Sequence, residues 1–179
     1  ANGAVFALLA VAGALTDDLR LSVAALGALA AATADTWATE VGVPWGGTPR
    51  MILTGTRLAP GMSGGVTVIG VAASIIATAL VAWGATWLLP AHRDPTDSIF
   101  RAVFIGGIAG SILDSVLGAT MQSKRWCDQC RAWTERRVHT CGYRTQHARG
   151  ARWMTNDLVN LVATVAGALV ALAAVGPLD

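Results

Sequence analysis

Two apolar stretches of this chain are interrupted by carboxylates, and these are the residues with the clearest capacity for chemistry. Asp35 and Glu40 stand near the end of an alanine-rich run, and Asp114 lies inside GSILDSVLGATMQ. An ionisable side chain within an apolar segment marks a functional site by default, because its burial is costly. At helical spacing Asp35 pairs with Thr39 and Thr36 with Glu40, which puts two acid–hydroxyl pairs on adjacent faces. Such oxygens suit Mg²⁺, which takes one or two carboxylates, waters and substrate phosphates rather than a full protein cage. The structural alternative has Glu40 solvated at an interface and Asp35 paired with an arginine. Asp114 needs a cation or an interhelical hydrogen bond, and Gly110 and Gly118, one turn to either side, bring a neighbouring backbone close.

The second set concerns anions. Residues 42–64 hold Pro44, Gly46, Gly47, Pro49, Gly55, Pro60, Gly61 and Gly64, a density of breakers that predicts a functional loop of about twenty residues. In it Arg50 and Arg57 can take phosphates bidentately. Thr54, Gly55, Gly61, Ser63, Gly64 and Gly65 offer hydroxyls and backbone N–H groups to cup one. No G-x-x-x-x-G-K-[ST] run occurs, so this is not a Walker A loop. Further on, Asn156, Asn160 and Thr164 recur every four residues and form a polar stripe on an apolar helix, with Asp157 beside it. Such amides either glue helices together or bind ligand, in which case the polar groups of spans two, four and five converge in one pocket.

The third set is CDQCRAWTERRVHTCGYRTQH. Cys127 and Cys130 form a C-x-x-C knuckle, and Cys141 with His139 completes a tetrahedral Cys₃His zinc site, with His147 as the alternative fourth ligand. A closed site of four protein ligands is structural rather than catalytic.

The elements that position these groups follow from composition. Of 179 residues 54% are hydrophobic and 13% charged, and the mean hydropathy is +0.53, against about 25% charged in ordinary soluble domains. Continuous apolar runs select an all-α, polytopic transmembrane helix bundle. About five spans are expected: residues 3–15, 19–41, 65–89, 99–122 and 154–175. Trp83 and Trp87 are interface anchors on the third. The first is short for about 30 Å of hydrocarbon, and without an initiator methionine or basic n-region it does not read as a signal peptide. The expectation is one transmembrane domain over 1–179 that lacks N-terminal helices, carrying a small basic, zinc-ribbon-like insert at 123–153.

Charge distribution sets the orientation. Of 13 Lys and Arg, Arg50 and Arg57 lie in the glycine loop and eight lie between Lys124 and Arg152. Arg20, Arg93 and Arg101 fall near the other ends. The positive-inside rule puts loops 42–64 and 123–153 in the cytoplasm, and an alternation of spans satisfies both. Glu40, the glycine loop, the insert and the start of the last span then share one face.

Four blocks, ADTWATEVG, PRMILTGTRLAPGMSGGVTVIG, GSILDSVLGATMQ and NDLVNLVAT, resemble in order the signature blocks of the integral-membrane family catalogued as domain of unknown function ninety-two, which includes plant phytyl-phosphate kinase. The cysteine insert also resembles one in many prokaryotic members. Thr39 stands where relatives often have serine, and Ser63 replaces an asparagine usual before the glycine pair. The resemblance implies phosphoryl transfer from a nucleotide triphosphate of the CTP type to an isoprenoid monophosphate, giving the diphosphate. Asp35, Glu40 and Asp114 would hold Mg²⁺ as the catalytic set, with Arg50, Arg57 and the loop amides on the phosphates. The expected partners are nucleotide, isoprenoid lipid phosphate and membrane lipids, with no nucleic acid. The competing reading is a membrane transporter or lipid-binding protein without kinase activity, marked by paired interrupted helices in corresponding halves; only one such break occurs here.

Overall fold

The computed structural model describes residues 3–89 and 96–176. Arg93 and most of the turn expected between spans three and four lie outside the described residues. Among those described, five helices carry the chain: α1 (Ala4–Thr16), α2 (Leu19–Trp45), α3 (Val68–Leu88), α4 (Thr96–Thr120) and α5 (Asn156–Val175). α2 to α5 are long and apolar enough to cross a membrane, whereas α1 has 13 residues and falls short. At 1.5 Å per residue it rises about 20 Å, against about 30 Å of hydrocarbon.

Residue size decides how the spans pack. Lipid tails are as apolar as leucine, so helices associate through close van der Waals contact, which small residues permit. A Cβ added at Gly167 of α5 would lie 2.8 Å from Ala31 Cβ and 2.9 Å from Gly27 O of α2, and 3.1 Å from Gly106 O of α4. One added at Gly110 would lie 2.5 Å from Ala31 Cβ and 2.8 Å from Ala163 O. Three helices therefore touch backbone to backbone along this seam. Beyond it, at one end of the bundle, Val23, Leu26, Ala82, Ile99, Val103, Ala171 and Val175 form the apolar core. The early part of α2 and the late part of α3 meet there, so the polar half of α2 is carried to the opposite end. Trp83 and Trp87 stay exposed, their rings edge to face at 6.2 Å.

The structure differs from the sequence expectation in where α2 stops. The helix runs on through Pro44 to Trp45 instead of ending near Val41. Proline removes one N–H from the last turn, but Gly46 N–H still donates to Gly42 O at 2.9 Å. Gly42 also seats directly on Gly70, where an added Cβ would be 3.0 Å from Gly70 Cα. Thr67 starts α3, its Oγ1 accepting from Gly70 N–H at 3.0 Å, a side-chain cap for an otherwise orphaned donor. Nor is the glycine stretch wholly irregular. β1 (Arg50–Met51) pairs antiparallel with β2 (Gly65–Val66), tying the two ends of the loop together.

The insert folds as a three-stranded antiparallel sheet, β3 (Lys124–Cys127), β4 (Ala132–Thr134) and β5 (Gln146–Arg149), in the order β4-β3-β5. Trp126 faces Trp133 across β3 and β4, the rings 5.3 Å apart. Aromatic cross-strand pairs of this kind stabilise small sheets.

Candidate functional site

One cavity of about 360 Å³ collects polar groups from every long helix. α2 contributes Asp35, Thr36, Thr39 and Glu40, α3 contributes Ser74, α4 contributes Ser111, Asp114 and Ser115, and α5 contributes Asn156 and Asn160. The glycine stretch covers it with Pro60, Gly61, Met62, Ser63, Gly64 and Gly65, and the insert adds Glu135. Each helix reaches the site with the end opposite its apolar core, because the spans alternate in direction.

At the centre are two acids. The carboxyl groups of Asp35 and Asp114 come within hydrogen-bonding range of each other, with the charge of Glu135 close enough to act on Asp114. Asp114 Oδ1 is buried and has no hydrogen-bond partner. An unpaired buried acceptor facing a second carboxylate is costly unless a cation or a shared proton stands between them. Glu40 is exposed at the cavity wall. Thr36 Oγ1 donates to Ala32 O at 2.9 Å, so this hydroxyl is spent on its own helix. On α5, Asn160 is buried and Asn156 exposed, and Thr164 Oγ1 donates to Asn160 O at 2.9 Å.

The predicted site residues divide. Asp35, Glu40, Asp114, Gly61, Ser63, Gly64, Gly65, Asn156 and Asn160 line the cavity. Arg50, Thr54, Gly55, Arg57 and Asp157 do not. Arg50 Nη1 donates to Gly55 O at 3.0 Å, and Thr54 Oγ1 lies 2.9 Å from Thr56 Oγ1, both on the exposed outer turn of the loop. Asp157 sits in the first turn of α5, where a carboxylate interacts favourably with the helix dipole. Loop amides divide likewise. Gly55 N–H donates to Met51 O and Gly65 N–H to Met62 O, whereas the N–H groups of Gly61 and Gly64 have no partner among the described residues.

Ser63 is held from outside the bundle. Its N–H donates to Glu135 Oε1 at 2.9 Å, and its carbonyl accepts from Lys124 Nζ at 3.0 Å. Gln122 Nε2 donates to the other oxygen of Glu135 at 2.8 Å. Burial pushes the Lys124 ammonium pKa below its ordinary value, with the Glu135 charge opposing the change. Sequence reading missed Glu135, Lys124, Gln122, Ser111 and Ser115. The two serines could have been found, since they flank Asp114 by three and one residues on a helix. Glu135 could not be tied to Ser63, which is 72 residues away.

A metal centre lies apart in the insert. The ligand atoms of Cys127, Cys130, His139 and Cys141 all fall within 4.8 Å of one another, a Cys₃His set able to hold a metal ion such as zinc. His147, the alternative fourth ligand, is not in it. His139 Nδ1 is 3.2 Å from Cys141 Sγ, and this hydrogen bond brings the Cys141 thiol down to about 6. Cys130, through its own bond with Cys141, is pushed up to about 11. Among the described residues no other group brings three such ligands together, so the acids of the bundle offer an Asp pair rather than a cage.

Comparison with known proteins agrees with this architecture. Residues 1–168 match the family model described as Integral membrane protein DUF92. Over 111 residues the chain is 33% identical to Protein PGR of Arabidopsis thaliana, covering 57% of this chain and 38% of that protein. It is 26% identical over 145 residues to an uncharacterized membrane protein of Methanocaldococcus jannaschii, covering 81% of this chain and 48% of the relative. The chain thus spans half or less of the curated relatives it matches. No solved structure matches it. With the family model covering almost its whole length and the helices to fit, the chain belongs to the DUF92 family of integral membrane proteins.

Proposed function

We propose that this protein is a membrane-embedded kinase that transfers the terminal phosphoryl group of a nucleotide triphosphate, CTP by resemblance to the plant phytyl-phosphate kinase, to an isoprenoid monophosphate. One observation carries the reading: Asp35 and Asp114 meet in a polar cavity at the end of four apolar spans, beneath a glycine loop with two unspent amides. A site of that kind suits a ligand whose phosphate is polar and whose tail belongs in lipid. An oxygen of the acceptor phosphate would attack the γ-phosphorus, forming one P–O bond as the β–γ bridge bond breaks and the nucleoside diphosphate leaves. The acceptor oxygen is already anionic, so no strong base is required, and such catalysis is mainly positioning and electrostatics.

The chain's own residues take distinct parts. Asp35 and Asp114 would hold Mg²⁺, with Glu40 at the cavity wall; the orphaned Asp114 Oδ1 fits that use. A metal held there would supply positive charge against the nucleotide phosphates. Asn156 and Asn160 would donate amide hydrogens to phosphate oxygens, and the Gly61 and Gly64 N–H groups would do the same from the loop. By the distribution of Lys and Arg this face is cytoplasmic, where nucleotide is available.

The test is turnover. Protein in lipid nanodiscs with Mg²⁺, γ-labelled CTP or ATP and prenyl monophosphates of several lengths is expected to form labelled diphosphate, and Asp35→Asn to lose it. Absence of product with every pairing would remove the reading.

A further inference from the structure

Beside the acid cavity lies a second one, of about 440 Å³, whose walls are basic. Arg125, Arg137 and Arg152 line it together with His147, and Glu135 and Asn156 are common to both cavities. The two spaces therefore adjoin. Arg125 is fixed in place: its Nε donates to Thr145 Oγ1 at 2.7 Å and its Nη2 to Thr145 O. Thr145 is in turn buried, with its hydroxyl against the carbonyls of Arg136 and Arg137. The guanidinium groups of Arg137 and Arg152 have no ion-pair or hydrogen-bond partner among the described residues. His147 Nε2 is buried there without a hydrogen-bond partner. A buried polar nitrogen left unpaired calls for an explanation, such as an unseen ligand. Three guanidiniums and an imidazole against one carboxylate make this space complementary to an anion, and planar guanidinium forks match phosphate oxygens bidentately.

We infer that the arginine cavity of the insert is a phosphate-binding site, formed by Arg125, Arg137, Arg152 and His147, which holds a phosphate group next to the acid pair. It replaces Arg50 and Arg57, which line neither cavity, as the source of positive charge for an anionic ligand. Two ligands share this chemistry: the phosphate tail of a soluble polyphosphate and the headgroup of an anionic phospholipid. The site itself stands without the kinase reading. If that reading holds, the shared Glu135 and Asn156 make the cavity the route by which a nucleotide's phosphates reach Asp35 and Asp114.

The experiment measures binding, not turnover. Full-length protein in phosphatidylcholine nanodiscs is titrated calorimetrically with inorganic tripolyphosphate. In a second arm, anisotropy reads partitioning of a fluorescent phosphatidic acid into the protein's annulus. Arg137→Ala/Arg152→Ala is compared with Arg136→Ala/Arg144→Ala, which removes the same charge from exposed arginines that line neither cavity. The expected result is at least a tenfold loss of affinity in the first double variant, for whichever probe binds, and less than twofold in the second. Loss for tripolyphosphate assigns the site to a soluble phosphate, and loss for phosphatidic acid assigns it to a lipid. Binding of neither probe, or equal loss in both double variants, overturns the site. A protein that forms labelled diphosphate while Arg137→Ala/Arg152→Ala leaves the affinity for both probes unchanged would keep the activity and lose this inference, so the two fail separately.

Discussion

Asp114 carries an unusual combination: one oxygen buried without a partner and a second carboxylate at hydrogen-bonding range. Two carboxylates in contact destabilise the fold unless a cation or a shared proton joins them. That gives Asp114→Asn a signature. The amide relieves the repulsion, so thermal stability in metal-free buffer is expected to hold or rise, while phosphoryl transfer falls about a hundredfold or more. A structural carboxylate would behave in the opposite way, with stability lost and turnover proportionate to the folded fraction. Gly64 provides a second case. Its φ is +80° and an added Cβ would strike the Ala119 backbone, whereas Gly47, at φ +70°, has open space around it. Gly47→Ala is expected to cost the about 1–2 kcal/mol of left-handed strain, and Gly64→Ala clearly more, read from thermal denaturation of the two variants. Residues on helices were legible in sequence as candidates because a polar side chain stands out inside an apolar period. Asp35, Asp114, Asn156 and Asn160 are of this type. In the glycine stretch no period exists, so nothing in the spacing could say that Arg50 turns outward to cap Gly55 O.

The insert is the element that sequence reading placed but could not connect. Its cysteine spacing was readable, and so was the choice of partners up to one ambiguity, which the geometry resolves in favour of His139 over His147. Its attachment was not readable, because Ser63 is held through Glu135 and Lys124 by contacts with no sequence period. Cys127, buried at the end of β3, and Glu135, just past β4, belong to the same small sheet. Metal loss is therefore expected to reach the loop over the cavity. Purified protein is expected to carry a single zinc per chain by elemental analysis. Cys127→Ser should remove the zinc and raise hydrogen exchange at residues 61–65, because the insert no longer grips Ser63. Zinc loss with unchanged protection over 61–65 would show that the two are independent.

For the molecule as a whole, fold class was legible from hydropathy alone, since a chain with so few charges can satisfy its backbone in lipid only through helices or a closed barrel. The end of α2 was not, because the seating of Gly42 on Gly70 of α3 is a contact that no spacing in the sequence reveals. The charge distribution makes a prediction at this scale. Thr56→Cys in the loop and Arg144→Cys in the insert, both exposed positions, are expected to resist an impermeant maleimide in intact cells and to react once the membrane is opened. Labelling from outside would invert the orientation.

The acid pair also bears on how the protein is made. Asp35 belongs to α2 and Asp114 to α4, and the asparagines that complete the cavity come only with α5. During synthesis α2 enters the bilayer with its carboxylate unmatched, and nothing resembling a site exists until the last span is in place. A chain interrupted before α5 is left with two membrane acids and no amides to face them. Any fragment that keeps the cavity whole must therefore run from α2 through α5, insert included.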